Sequence, residues 1–79
     1  MKTESLVTLK KITNMKMAIE QYKQFCTENV YFRNKTKEEK TINEKHSYCH
    51  KKKGYWVLRG DTGWLVAFVS IIDGRVYLP

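Results

Sequence analysis

Two glycine-containing turn signals divide residues 55–79 into three apolar runs, and no other feature of the chain constrains its fold as strongly. The runs read "YWVLR", "WLVAFVSI" and "RVYL", and they are rich in the aromatic and β-branched residues typical of strands. Residues 60–63 (GDTG) separate the first two runs. Asp73-Gly74 follows the second run and is the preferred signal for a type I′ hairpin. The spacing predicts a three-stranded antiparallel β-meander.

The turns also predict a register, and the register divides the side chains between two faces. If Arg59 pairs with Trp64 and Ile72 with Arg75, strand alternation separates an apolar core face from an outer face. The predicted core face contains Trp56, Leu58, Leu65, Ala67, Val69, Ile71, Val76 and Leu78. The predicted outer face contains Tyr55, Val57, Arg59, Trp64, Val66, Phe68, Ser70, Ile72, Arg75 and Tyr77. This outer face is too apolar to stay bare in water and too basic for an ordinary core.

An amphipathic pattern precedes the predicted strands. Over residues 12–29, apolar side chains recur at steps of three and four, which predicts a helix buried on one side. The repeating positions are Ile12, Met15, Ile19, Tyr22 and Cys26. Thr13 or Asn14 suits the N-terminal cap, and Asn29 suits the end of the helix. Residues 5–11 fit either an earlier helical turn or a short strand.

The middle of the chain carries two capping-box patterns, Thr36 to Glu39 and Thr41 to Glu44. A helix that starts at either pattern would end at Lys53, with Gly54 as its left-handed stop. Part of residues 33–41 would then be loop. The predicted fold class is therefore α+β in one domain over residues 1–79. It has an N-terminal helix, a basic middle helix or loop, and a C-terminal three-stranded antiparallel β-meander.

The charge is large for a chain of this size and is concentrated in the middle. With 79 residues, 15 Lys plus Arg and 8 Asp plus Glu, the chain has a net charge of +7. Residues 33–53 contain most of this excess. A positive charge of this density favours polyanionic partners. The alternative explanation is that the lysines keep a small, aromatic-rich protein soluble.

Cys26, His46, Cys49 and His50 are the candidate metal ligands. His46 and His50 would lie one helical turn apart, but zinc modules normally present a pair of closely spaced ligands from each of two segments. Three candidates on one segment and one elsewhere therefore favour no metal and no cofactor. The cysteines are then interpreted as small buried hydrophobes.

Cellular context follows from the cysteines and the apolar runs. Two cysteines do not form a disulfide framework, and the N-terminus shows no secretory signal, so we expect a cytoplasmic protein with reduced thiols. The longest apolar stretch, residues 64–72, is too short to span a bilayer. We therefore expect no membrane partner.

No catalytic motif is present, so no catalytic residue is predicted and the chain is expected not to be an enzyme. An alternative hypothesis makes His46 or His50 the general base of a small ribonuclease, beside lysines that hold a phosphate. Its weakness is that no orienting partner for either histidine stands at a motif spacing.

The favoured hypothesis is non-catalytic, sequence-tolerant RNA binding, to single strands rather than duplexes. The predicted nucleic-acid contacts are Arg33, Lys35, Lys37, Lys40, Lys45, Lys51, Lys52, Lys53, Arg59 and Arg75. The predicted stacking surface comprises Tyr55, Trp64, Phe68 and Tyr77. The same rings favour self-association, so we expect a homodimer through the outer face, with the basic segment lining one side of it. The remaining possibility is that a helix of the chain covers this face. The main alternative function is a protein inhibitor whose basic face docks on a host enzyme.

In size and composition, the whole chain resembles the small accessory proteins of large bacterial viruses. Those proteins are short, rich in Lys, Asn, Glu and Tyr, and lack catalytic signatures. The resemblance implies a counter-defence role in the host cytoplasm, such as inhibition of a host toxin or defence system. It assigns no role to any residue.

Overall fold

The computed structural model describes residues 9–28 and 41–79, and it confirms the α+β class. Helix α1 spans Met15–Glu28, and a short 3₁₀ helix spans Glu44–His46. Four strands follow: β1 Tyr48–His50, β2 Tyr55–Arg59, β3 Leu65–Ser70 and β4 Val76–Tyr77. They form one antiparallel sheet in the order β1-β2-β3-β4. The sheet is a meander as predicted, with one more strand at its start.

Helix α1 begins at the predicted cap but three residues later than its apolar pattern. The side chain of Asn14 accepts a hydrogen bond from the Met17 N–H at 2.9 Å, which satisfies a donor of the first turn. Ile12 does not join the helix, because its N–H donates instead to the Ile71 carbonyl at 2.8 Å. Residues 9–11 form neither helix nor strand. Residues 5–8 and the predicted stop at Asn29 lie outside the described residues.

The predicted helix through Lys53 is wrong. Asn43, rather than Thr41, caps the 3₁₀ helix, accepting from the Lys45 N–H at 2.9 Å. The chain then becomes extended at Ser47, whose hydroxyl accepts from the Arg59 N–H at 3.0 Å. Strand β1 pairs with β2, and the residues after β1 make a turn closed by the Gly54 N–H on the His50 carbonyl at 2.9 Å. The capping box at Thr36–Glu39 lies outside the described residues.

Both predicted turns are present, but both are longer than the predicted register requires. Leu58 pairs with Ala67 and Val69 with Val76, each shifted by two residues from the prediction. The expected two-residue type I′ turn at Asp73-Gly74 is instead a four-residue loop, and the Ser70 N–H donates to the Arg75 carbonyl across its base at 2.9 Å. Because side chains alternate with a period of two, a shift of two leaves the face assignment unchanged.

A β-bulge near the β2–β3 turn is where the predicted faces fail. Arg59 pairs with Leu65 rather than Trp64, while the neighbouring Leu58 pairs with Ala67, so β3 carries an extra residue there. That residue, Val66, belongs to the core cluster although the sequence pattern placed it on the outer face. Leu65 was predicted in the core but lies outside the cluster, because its pairing with Arg59 turns it to the other face. Ile71, also predicted in the core, lies outside the cluster because it belongs to the β3–β4 loop rather than to β3.

Helix α1 packs on the core face of the sheet and buries the predicted apolar stripe. The core cluster comprises Ile12, Ala18, Tyr22, Phe25, Cys26, Leu58, Val66, Ala67, Val69 and Val76. Phe25 is fully buried. Burying a side chain of that size contributes about 1.5–3 kcal/mol to stability. Since the helix covers the core face, the functional question concerns the opposite, outer face.

Candidate nucleic-acid interface

The observed pairing arranges the outer face as two rows of side chains that cross all four strands. Row 1 contains, from β1 to β4, Tyr48, Val57, Phe68 and Tyr77. Row 2 contains His50, Tyr55, Ser70 and, through its backbone bond to Ser70, Arg75. Neighbouring strands lie about 4.8 Å apart, so each row extends roughly 14 Å from β1 to β4.

The rings of the two rows contact one another. The His50 ring lies 6.5 Å from Tyr48 and 5.7 Å from Tyr55, measured between centroids. Tyr55 meets Phe68 edge-on at 4.8 Å, an arrangement that contributes about 0.5–1.5 kcal/mol beyond the buried area. These contacts fix a continuous aromatic surface over β1, β2 and β3.

Exposure differs along row 1 and shows which rings are accessible. Tyr48 is 46% exposed and Tyr77 45% exposed, while Val57 between them is buried. Tyr55 and Phe68 are half-buried. A planar ligand group would therefore meet the two terminal rings first, with the central part of the face as a rigid support.

Three of the four predicted stacking residues lie on this surface, and Trp64 does not. Tyr55, Phe68 and Tyr77 belong to the rows. The indole ring of Trp64 packs over Gly60 so closely that a methyl group on Gly60 would overlap it. Trp64 is therefore a cover for the β2–β3 turn, at the end of the sheet away from row 2.

Arg59 and Lys45 also belong to that far end. The Arg59 guanidinium donates from Nη1 to the Gly63 carbonyl at 2.9 Å, so it braces the turn. Lys45 is exposed in the 3₁₀ helix, whose cap, Asn43, donates from Nδ2 to the Asp61 carboxylate at 3.3 Å. These two predicted phosphate contacts are thus separated from the others along the strands.

The other predicted phosphate contacts that the structure describes lie in row 2 or beside it. Lys51, Lys52 and Lys53 are exposed in the turn between β1 and β2, directly after His50. Arg75 is exposed and forms an ion pair with Asp73, with Nε 3.4 Å from a carboxylate oxygen. The predicted contacts Arg33, Lys35, Lys37 and Lys40 lie outside the described residues.

Sequence reasoning missed Tyr48 and His50 as members of the aromatic surface. It assigned them to a helix, in which they would not face the same way. The signal that could have found them is the pattern of Tyr48, Cys49 and His50 directly before the lysine turn. There, two rings flank a small apolar residue with strand periodicity.

The structure keeps the candidate metal and catalytic residues apart, because the segment that contains Cys49 and His50 is strand β1 rather than a helix. Cys49 and His50 are consecutive in β1 and therefore point to opposite faces. Cys49 pairs with Trp56, and Cys26 is a buried cysteine of α1 that forms no disulfide. His46 is exposed in the 3₁₀ helix. Over residues 9–28 and 41–79, no three side chains of the metal-ligating types form a group that could hold an ion.

Within the part of the chain that the structure describes, no helix has the length and apolar character needed to cross a membrane. Comparison of the chain with protein-family models, with curated proteins and with solved structures gives no match. The interpretation of the outer face therefore depends on its own geometry and charge.

Proposed function

We propose that this protein binds single-stranded RNA without cleaving it and with little sequence preference. The observation that carries the proposal is the pair of aromatic rows on the outer face, with three exposed lysines directly beside row 2. Stacking on an aromatic ring tolerates sequence because every base has a π-face. Lysines neutralise phosphates without regard to sequence.

The exposure of aromatic rings on a sheet face supports single strands over duplexes. In a duplex the bases are already stacked on one another, and the major groove of A-form RNA is too deep and narrow for side chains to read. Exposed rings on a sheet instead suit unpaired bases that can be splayed onto them. The two most exposed rings of row 1, Tyr48 and Tyr77, are three strand spacings apart, which leaves room for more than one base.

The proposed biological setting is an accessory, counter-defence role in a host cytoplasm. It follows from the likeness in size and composition to accessory proteins of large bacterial viruses. In that setting RNA bound to the outer face would serve to inhibit a host toxin or defence system.

Fluorescence anisotropy of a labelled single-stranded RNA, measured over a salt series, tests the proposal. We expect the affinity to fall linearly on a log–log plot against salt concentration. Replacing Tyr48 and Tyr77 by leucine should weaken binding, by about 1–3 kcal/mol for each base that no longer stacks. Trp64→Leu is the matched control, because this ring is also exposed, at 39%, but packs over Gly60 at the opposite end of the sheet and belongs to neither row.

Three outcomes would overturn the proposal of non-catalytic RNA binding and favour a different function. Absence of binding at low salt together with a dimeric mass by light scattering would make the outer face a homodimer interface. Absence of binding together with nuclease-resistant capture of a host enzyme would support the inhibitor alternative. Cleavage of the RNA that disappears in both His46→Ala and His50→Ala would support the ribonuclease.

A further inference from the structure

Ile71 joins two distant segments of the chain at one end of the sheet. Its N–H donates to the Gly54 carbonyl at 3.0 Å, and its own carbonyl accepts from the Ile12 N–H at 2.8 Å. Two residues further along, the Asp73 carbonyl accepts from the Lys10 N–H at 2.9 Å. The backbone therefore holds residues 10–12, the β1–β2 turn and the β3–β4 loop side by side.

Each of these three segments brings exposed positive charge to the same end, which we call the cationic end. Its cations are Lys10, Lys11, Lys51, Lys52, Lys53 and Arg75, all exposed. The one acidic residue of the three segments, Asp73, is already engaged with Arg75. The opposite end of the sheet is mixed in charge, because Glu44 and Asp61 lie there with Lys45.

Row 2 of the outer face adjoins the cationic end directly. His50 precedes Lys51, Tyr55 follows Gly54, and Ser70 precedes Ile71 along the chain. Bases that stack over row 2 would therefore place their sugar–phosphate backbone above the β1–β2 turn. The phosphate contacts predicted from the sequence include Lys51, Lys52, Lys53 and Arg75 of this end, but neither Lys10 nor Lys11.

Residues 10–12 extend this positive surface around the end of the sheet, toward the layer that contains α1. Ile12 is buried in the core, and its carbonyl accepts from the Trp56 indole N–H at 3.4 Å. Lys10 and Lys11 are thus attached to a fixed backbone while their side chains remain exposed. Cations held on an ordered backbone bind with a smaller cost in conformational entropy than cations on a free tail.

We propose that Lys10 and Lys11 form a second phosphate-binding element, and that the RNA backbone leaves the outer face over the cationic end. This inference rests on the proposed RNA binding and adds the path that the strand takes. An exit across the β1 or β4 edge of the sheet would bypass both residues.

The test compares the salt dependence of RNA affinity in two variants with the same change in net charge. In Lys10→Gln/Lys11→Gln the slope of log affinity against log salt should become shallower by about 1.4, since each phosphate contact on a single strand contributes about 0.7. Lys23→Glu also removes two units of charge, but from an exposed position on α1, and should leave the slope unchanged.

The outcomes distinguish failure of the exit path from failure of RNA binding itself. If the wild-type protein binds RNA and the double variant keeps its slope, the exit path is wrong and RNA binding stands. If the slope decreases by the same amount in both variants, net charge rather than position acts, and the inference is again overturned. If the wild type binds no RNA, both proposals fall. Thermal melting verifies the fold, and the single Lys10→Gln and Lys11→Gln variants replace the double variant if its melting temperature drops.

Discussion

The side chain of Gln21 donates a hydrogen bond from Nε2 to the carbonyl oxygen of Gly74 at 2.9 Å, inside the core. Gln21 is 1% exposed and is the one buried polar residue of the described parts of the chain. The bond joins α1 to the β3–β4 loop, and the same loop holds the backbone of Lys10 through Asp73. Packing of the helix and the shape of the cationic end are thus coupled.

Replacing Gln21 by leucine should destabilise the protein. The change keeps a side chain of similar size but leaves the Gly74 carbonyl without this donor, which costs about 1–3 kcal/mol. Urea unfolding, monitored by circular dichroism, measures this change in the free energy of unfolding. Gln24→Leu is the control, because Gln24 is only half-buried and its bond to Glu28 is long, at 3.4 Å. Equal destabilisation of the two variants would contradict the importance of the buried bond.

Alanine at Gly74 should cost more stability than alanine at Gly54. Both glycines have positive φ, +73° and +82°, so both substitutions introduce a left-handed alanine at about 1–2 kcal/mol. At Gly74 a Cβ atom would also lie 2.6 Å from Gln21 Nε2 and 2.9 Å from the Lys10 carbonyl oxygen. At Gly54 it would meet nothing within 4 Å. Overpacking of this kind adds about 1–3 kcal/mol.

Thermal melting of the two glycine variants under identical conditions measures this difference. A melting temperature for Gly74→Ala equal to that of Gly54→Ala would show that the loop moves away from α1 at no cost. The RNA affinities of Gly74→Ala and of the wild-type protein should be compared at a temperature at which both are fully folded.

Arg59 and Arg75 should differ in role. Substitution of Arg59 should mainly lower stability, and substitution of Arg75 should mainly change RNA binding. Arg59→Gln removes the bond that braces the 60–63 turn, and we expect destabilisation by about 0.5–1.5 kcal/mol with a small change in the salt dependence of RNA affinity. Arg75 belongs to row 2, so Arg75→Gln should reduce that salt dependence by about 0.7 for each phosphate that the side chain neutralises. The reverse pattern, measured by anisotropy and urea unfolding, would place the RNA at the opposite end of the sheet.

The two thiols should react at different rates. Cys26 is 5% exposed on the buried side of α1, whereas Cys49 is only partly buried on the edge strand β1. In a Cys49→Ser variant the remaining thiol should label only as fast as the protein opens, so labelling should accelerate with added urea. In Cys26→Ser the remaining Cys49 should label rapidly in native buffer. Equal native rates would show that the helix end over Cys26 opens freely.

The sequence predicts this fold wherever short-range patterns and long-range packing agree. The apolar stripe of α1 and the alternation of β2 and β3 each match one secondary structure, and both elements form. Residues 46–53 match two secondary structures, because three lysines before Gly54 fit the last turn of a helix as well as a hairpin turn. Pairing of Tyr48 with Val57 decides between them, and that pairing is invisible to local periodicity.

The sequence likewise predicts those parts of the outer face that follow from strand alternation. Tyr55, Phe68 and Tyr77 share a face by alternation alone, and a register error of two residues does not separate them. Tyr48 and His50 were missed because the segment that contains them was assigned to a helix. The sequence pattern groups Trp64 with the other rings and Arg59 with the other cations. The structure separates them, because Trp64 packs over Gly60 and Arg59 bonds to Gly63, and these contacts depend on a turn conformation that the pattern does not show.

The bond between Lys10 and Asp73 also has a consequence for the order of folding. The four strands connect through short hairpins, whose contacts are local and close quickly. Attachment of residues 10–12 to the β3–β4 loop instead joins regions separated by most of the chain, with a larger loop-closure cost. During synthesis, the β1–β2 turn can therefore display its lysines early, while the assembled cationic end must wait until the last hairpin is in place.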